Sequence, residues 1–218
     1  MNVEINLIIS ILNLTKHGSV SKEIVKKEAR ISSQIGEKLL RKLQNQTFIY
    51  LKKSFVEADA IQRLKLAVYV IELGADFERV CSFLDWREFE GMASVILERN
   101  GYIVKQNLWF RHLGKRWEID VVGYKKPIIL CVDCKHWRYG MHPSALKKIA
   151  EEQKKRTAAL AKSLSTFVGK FDFASWDNAK IVPAVLSLFP GRFKFYDDMP
   201  IVPVLQFQDF INQLPAYA

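Results

Sequence analysis

At 218 residues, the chain is long enough for one large domain or two small ones, since domains commonly run to about 100–150 residues. Its 49% hydrophobic, 26% charged and 12% aromatic composition excludes a disordered or collagen-like chain, and three Cys exclude a disulfide scaffold and point to a reducing, intracellular setting. Thirty-three Lys and Arg against 23 Asp and Glu leave a charge of +10, which is expected to draw a polyanion, nucleic acid first.

The longest apolar run near the start, Ile5 to Leu14, is interrupted by Asn6 and Asn13 and falls short of the roughly 20 residues of a membrane helix. No basic segment precedes it and no small-residue cleavage site follows, so neither a membrane span nor a secretory signal is expected. The expected location is cytoplasmic and nucleoid-associated.

In chain order, Val3, Ile5, Leu7, Ile8, Ile11, Leu12 and Leu14 follow a mostly 3.6-residue period that stops at His17-Gly18, as a first helix with a Gly stop would. Ser21 reads as the cap of a short second helix carrying Ile24, Val25 and Ala29. Ser32 or Ser33 caps a third, with Ile35, Leu39, Leu40 and Leu43 on one face and Lys38, Arg41 and Lys42 on the other. Residues 47–56 read as a β-hairpin with a basic tip at Lys52-Lys53. Three short helices and a basic hairpin are the order of a winged helix-turn-helix, in which the third helix enters the major groove and the hairpin touches the backbone. The positive charge is steepest here: residues 1–56 hold ten Lys/Arg against four Glu.

Residues 58–80 read as a connecting helix interrupted near Gly74, which sets the expected domains at 1–80, winged-helix-like, and 81–218. Trp86 to Asn100 then has Phe89, Met92, Ala93, Ile96 and Leu97 on one side of a helix closed by Asn100-Gly101. Strands are expected at 102–110, 116–123 and 128–135, the last two joined by a turn through Lys125-Lys126-Pro127. A long basic helix follows from Pro143 to about Val168, then strands at 181–189 and 201–205 and a closing helix at 207–214. The expected class is α/β (α+β), a mixed sheet flanked by helices.

The chemistry concentrates in residues 117–137, WEIDVVGYKKPIILCVDCKHW. Residues two apart on a strand share a face, pairing Glu118 with Asp120 and Asp133 with Lys135. If 124–127 forms the turn, position 120 lies opposite 131 or 133, and either register sets Asp133 on the face of Asp120. Clustered acids among Val, Ile and Leu are costly unless a divalent cation compensates, and oxygen ligands favour Mg²⁺ or Mn²⁺. Such a metal acidifies a bound water while a neighbouring Lys orients it, which suits phosphodiester hydrolysis.

At these residues the chain resembles the PD-(D/E)XK nuclease superfamily, in particular its Mrr-like restriction endonuclease branch. Phe89-Glu90, Gly101-Tyr102, Glu118-Ile119-Asp120 and Asp133-Cys134-Lys135 stand in the order of that branch's motifs, over about residues 85–190. The resemblance implies a restriction-endonuclease-like fold and a metal-dependent DNA endonuclease. It makes Asp120 and Asp133 metal-binding acids, Glu90 the acid on the helix that completes the shell, and Lys135 the catalytic lysine. Gln153 is similar to a Gln that some branches place near the site. The chain departs in having Ile119 where Pro is common and Asp133 where many members have Glu. The same resemblance admits a nuclease for RNA or Holliday junctions, or a DNA-binding or repair-complex subunit keeping the fold as a scaffold. Nucleases of this kind often act as dimers, which adds a homodimer to DNA among the expected partners.

Cys131, Cys134, His136 and His142 are spaced in a way that suggests zinc, but Cys131 and Cys134 differ by an odd number on one strand and should face opposite ways. They are expected to serve as small core side chains, and Glu88 and Glu98 as solvated ones. The helix from Pro143 carries six cations, among them Lys147, Lys148 and Lys154, against Glu151 and Glu152. These three, with Lys38, Arg41, Lys42, Lys52 and Lys53, are the expected nucleic-acid contacts.

Overall fold

A computed structural model of the chain describes residues 2–135, 143–188 and 194–217. The chain divides into two compact units, Met1–Phe89 and Glu90–Ala218. The division falls inside a helix rather than near residue 80.

The first unit contains helices α1 (Val3–Leu14), α2 (Lys22–Glu28), α3 (Ser33–Asn45), α4 (Ala60–Glu72) and α5 (Phe77–Phe83), with strands β1 (Val20–Ser21), β2 (Tyr50–Lys52) and β3 (Phe55–Glu57). The caps follow from the sequence: Asn2, Ser21 and Ser32 accept from the backbone N–H groups of Glu4, Glu23 and Ile35, satisfying donors that a helix start leaves free. β3 pairs antiparallel with both β1 and β2, giving the sheet order β1-β3-β2, and Lys53 turns the hairpin with φ 47°. This is a winged-helix-like arrangement, with the two-residue β1 as the element that periodicity did not reveal. Leu7, Ile8, Ile11 and Leu12 of α1 are buried with Val25, Leu40, Leu43, Val56 and Leu66. Each such side chain contributes about 1.5–3 kcal/mol through burial. Asp59 starts α4 with a reciprocal capping box to Gln62, and the connecting segment breaks into α4 and α5 at Gly74, whose φ is 91°.

Helix α6 (Trp86–Arg99) leads into the second unit, with β4 (Ile103–His112), β5 (Lys115–Lys125), β6 (Ile128–Lys135), α7 (Pro143–Lys162), β7 (Lys180–Ser187), β8 (Phe195–Tyr196), β9 (Met199–Pro203) and α8 (Phe207–Tyr217). Its six-stranded sheet has the order β4-β5-β6-β7-β9-β8. β4, β5 and β6 run antiparallel, β6, β7 and β9 run parallel, and β8 caps the edge antiparallel to β9. A parallel β6–β7 pair needs a crossover, which α7 supplies. β6 is buried from Ile128 to Asp133, as a central strand covered on both faces must be. On one face Ala159 and Leu160 of α7 pack with Val122, Tyr124, Ile129 and Cys131. On the other, α6 approaches so closely that a Cβ on Gly123 would lie 3.0 Å from a methyl of Leu97.

The expected α+β sheet flanked by helices, preceded by the winged-helix-like unit, is therefore what the chain forms. Several boundaries differ. α7 stops at Lys162 instead of reaching Val168, because the chain tightens into a 3₁₀ turn at Leu164–Phe167 and places Phe167 in an aromatic cluster with Phe110, Phe171 and Phe173. The last strand starts at Met199 and ends at Pro203, with Val204–Gln206 in a 3₁₀ turn. β8 was not foreseen. Phe189, expected in β7, lies outside the described residues.

Candidate active site

The β5–β6 ladder pairs Val121 with Val132 and Val122 with Cys131; one step further along that register Asp120 lies opposite Asp133. The second of the two expected registers is thus the one adopted. Sharing a face, however, does not follow from it. Ile119 and Val122 both enter the apolar cluster under α7, although strict alternation would send them to opposite faces. On β4, Gln106 donates to Ser94 of α6 (2.8 Å), while Leu108, two residues on, joins the α7 cluster. Between these pairs the ladder omits Asn107 and Asp120, and Asn107 has φ 49°. Alternation reverses at this step, and Asp120 stands at the reversal. Its Oδ2 accepts the backbone N–H of Cys134 (2.9 Å), which ties it to the end of β6.

Asp133 is 1% exposed. Its Oδ1 accepts from Arg156 Nη1 of α7 (2.6 Å), and Lys135 Nζ lies 2.7 Å from Oδ2. The lysine contact is electrostatic, since Oδ2 accepts no well-aligned hydrogen bond. Glu90, on α6, is 4% exposed. Burial, then repulsion from Asp120 and Glu118, pushes its carboxyl up to about 7 against the pull of Lys135. Burial and the charge of Asp133 raise Asp120 as well, against the Cys134 N–H, Lys135 and Arg156. Burial also raises Glu118, with Asp120 adding to it. Four carboxylates and two cations therefore share one electrostatic neighbourhood. As the side chains stand, no three His, Cys, Asp or Glu are gathered as ligands for a metal among the described residues.

Gln153 is fully buried and donates to the Cys131 carbonyl (2.8 Å), leaving its Oε1 without a hydrogen-bond partner among the described residues. The stripe Leu146, Ala150, Gln153, Thr157, Leu160 has helical spacing toward the sheet, and a Gln inside it was the available signal. Arg156, three residues on, counts in the sequence only as one of the cations of a basic helix. Cys131 is buried, its thiol pushed up to about 12, and burial takes Cys134 well above its usual value too. Cys131 sits as a core thiol, as expected, whereas Cys134 is only half-buried; His136 and His142 lie outside the described residues.

Lys147 faces Glu151 at 3.9 Å and Lys154 is bonded to Asp197, while Lys148 has no ion pair among the described residues. In the first unit, Lys38 and Arg41 of α3 have no ion pair among the described residues. Lys42, one residue on, binds Glu4 (2.7 Å) and Tyr69 (3.2 Å), Lys52 pairs with Glu57 (2.5 Å), and Lys53, at the wing tip, has no ion pair among the described residues. Glu88, expected to be solvated, is instead buried against Arg63 (2.6 Å) while it also caps α6 reciprocally with Asp85.

No family model matches the chain. An uncharacterized protein of Archaeoglobus fulgidus is 29% identical over 133 residues, covering 61% of this chain and 93% of that protein. Among solved structures, protein VC1899 from Vibrio cholerae aligns over 98% of this chain and 51% of its own, at 14% identity and TM-score 0.40. A protein of unknown function, AF1548, aligns over 47% of each chain at 19% identity and TM-score 0.33. The restriction endonuclease FokI aligns over 88% of this chain and 38% of its own, at 16% identity and TM-score 0.32. The chain thus spans about half or less of the length of each of these solved structures. No helix among the described residues is long and apolar enough to cross a membrane.

Proposed function

We propose that the chain is a metal-dependent DNA endonuclease, with Asp120, Asp133, Glu90 and Lys135 at its centre. The observation that carries this reading is the charge imbalance in a buried place: Glu90 is lifted to about 7 by burial and by Asp120 and Glu118. A fold gains nothing from such crowding unless a ligand relieves it, and perturbed groups of this kind gather at functional sites. The donor set fits a hard divalent cation. It is all carboxylate oxygen, and Asp133 Oδ2 is buried without a well-aligned donor.

Mg²⁺ or Mn²⁺ would be held by Asp120 and Asp133 with Glu90 beside them, and would supply Lewis acidity and a more acidic bound water. The protein's own groups do the rest. The Cys134 N–H fixes Asp120, and Lys135, at the end of β6 and a quarter exposed, can present its ammonium to an attacking water or to the negative charge that develops on the phosphate. Of the expected contacts in the winged-helix-like unit, Lys38, Arg41 and Lys53 have no ion pair among the described residues and are available to meet duplex phosphates.

A second reading, a DNA-binding protein that keeps the fold as a scaffold, is favoured by one observation: both oxygens of Asp133 already face cations, Arg156 and Lys135. Cleavage of labelled linear, single-stranded, supercoiled and four-way DNA in Mg²⁺, Mn²⁺ or EDTA separates the two. The nuclease reading expects metal-dependent cutting that Asp120→Ala and Lys135→Ala abolish, with DNA binding kept in Lys135→Ala. Binding without cutting in any metal overturns it in favour of the scaffold.

A further inference from the structure

The β4–β5 hairpin ends in Leu113-Gly114, both with positive φ (49° and 76°). A two-residue turn of this hand suits twisted strands, but its first position favours Asn, Asp or Gly, and a bulky residue there is strained. Leu113 nevertheless occupies it and is 91% exposed. Polar choices would serve the turn better, so the apolar side chain at the tip points to a surface that covers it.

Cations flank the tip on both strands. Arg111 pairs with Arg116 across the ladder, and Lys115 precedes it. None of the three forms an ion pair among the described residues. Arg116 lies over the ring of Trp109 at 3.9 Å, and Lys115 over that of Trp117 at 3.9 Å. Trp109 itself is 47% exposed. Stacking of this kind holds flexible cations in place at a modest gain of about 0.5–1 kcal/mol. Arg116, Glu118 and Asp120 follow each other at every second position of β5. At ~3.3 Å per residue Arg116 is about 13 Å and Leu113, six steps along β4 from the level of Asp120, about 20 Å from Asp120. Along a duplex, at ~3.4 Å per base pair, these distances correspond to about four and six pairs.

We propose that this hairpin is a second nucleic-acid contact: Arg111, Lys115 and Arg116 hold duplex phosphates and Leu113 enters the groove, a few base pairs from the bond presented to the acids. The inference rests on the nuclease reading for its choice of partner, and on the hairpin's own charge and its continuity with β5 for its place. An apolar side chain between cations is a known way to wedge a minor groove. A second copy of the chain fits less well, because a two-fold contact at the tip would set Arg111, Lys115 and Arg116 against themselves.

Anisotropy titrations of a labelled duplex with the full chain in EDTA, over a range of salt, test the idea without cleavage. Arg111→Ala with Arg116→Ala should flatten the slope of log K against log salt by about two, at ~0.9 per phosphate contact. Leu113→Asn, which suits the positive φ, should weaken binding several-fold with the slope unchanged, since the contact it removes is not ionic. Wild-type affinity and slope in both variants would overturn the proposal. So would a Leu113→Asn effect seen only in concentration-dependent self-association, or only in binding to phosphatidylserine vesicles. Because binding is read in EDTA, a wild type that binds duplex but cuts nothing refutes the nuclease reading alone, whereas active cleavage with unchanged binding in both variants refutes the hairpin alone.

Discussion

Glu90→Gln should make the protein more stable at pH 8 in EDTA, although it removes a charged group. A carboxyl whose pKa is about 7 when folded and near its ordinary 4.5 when unfolded binds its proton more tightly in the native state. Its stabilising contribution is therefore complete below about pH 4.5, is lost progressively as pH rises, and is gone above about 7. At ~1.36 kcal/mol per unit the ceiling is about 3 kcal/mol. Water relaxing around the Glu90 carboxyl on α6 reduces this to an expected gain of about 1.5 kcal/mol for the neutral isostere. Four of the five tryptophans lie in the second unit, so urea unfolding followed by tryptophan fluorescence reports mainly the part that contains Glu90. The difference between Gln and wild type should shrink toward zero by pH 4.5. A variant less stable than wild type at pH 8, or a difference that does not change with pH, would refute the placement of Glu90 among like charges.

In the first unit, Arg63 donates to Glu88, the Leu12 carbonyl, Thr15 Oγ1 and the Phe83 carbonyl. Arg63→Met should therefore cost about 3–5 kcal/mol by leaving a buried carboxylate alone, and calorimetry should show Arg63→Met with Glu88→Gln recovering part of that loss. On α3, Arg41→Ala should weaken duplex binding and flatten its salt dependence more than Lys42→Ala, because Lys42 is engaged by Glu4. Glu4→Gln should strengthen binding by freeing it, and equal effects of Arg41→Ala and Lys42→Ala in a salt titration would contradict this.

What was legible from the sequence was local or periodic. The Lys125–Pro127 turn sets the register of β5 on β6, and through it the opposition of Asp120 and Asp133; serine caps and Gly74 mark the helix ends of the first unit. What escaped depends on distant partners. Lys42 looked free because Glu4 is 38 residues away, and Glu88 looked solvated because Arg63 lies 25 residues before it. The broken alternation at Asp120 escaped for another reason: it arises from Asn107 in the left-handed region on the neighbouring strand, and period-two reasoning has no means of locating such a residue. Glu90 could be selected from its place beside the buried stripe of α6, but its charge environment needs β5 alongside.

Stability alone gives little reason to keep four carboxylates with two cations in one neighbourhood. A buried ion pair is often no better than apolar packing, and here burial and mutual repulsion disfavour the ionised forms of Glu90 and Asp120. The two cations differ in what they offer. Arg156 reaches Asp133 from a neighbouring helix through a single nitrogen, whereas Lys135 sits two residues away on the same strand. If each can neutralise Asp133 on its own, Arg156→Met and Lys135→Met should each cost about 1–2 kcal/mol. The double variant, which strands a carboxylate that is 1% exposed, should then exceed the sum of the two by about 1–3 kcal/mol. Unfolding free energies of the four proteins complete the cycle. Strict additivity would mean that the two cations act on Asp133 independently, and neither would then be a reserve partner. Coupling of the expected sign would mean that Lys135 can leave Asp133 for a phosphate or a water while Arg156 keeps the carboxylate paired, as a lysine used in chemistry requires.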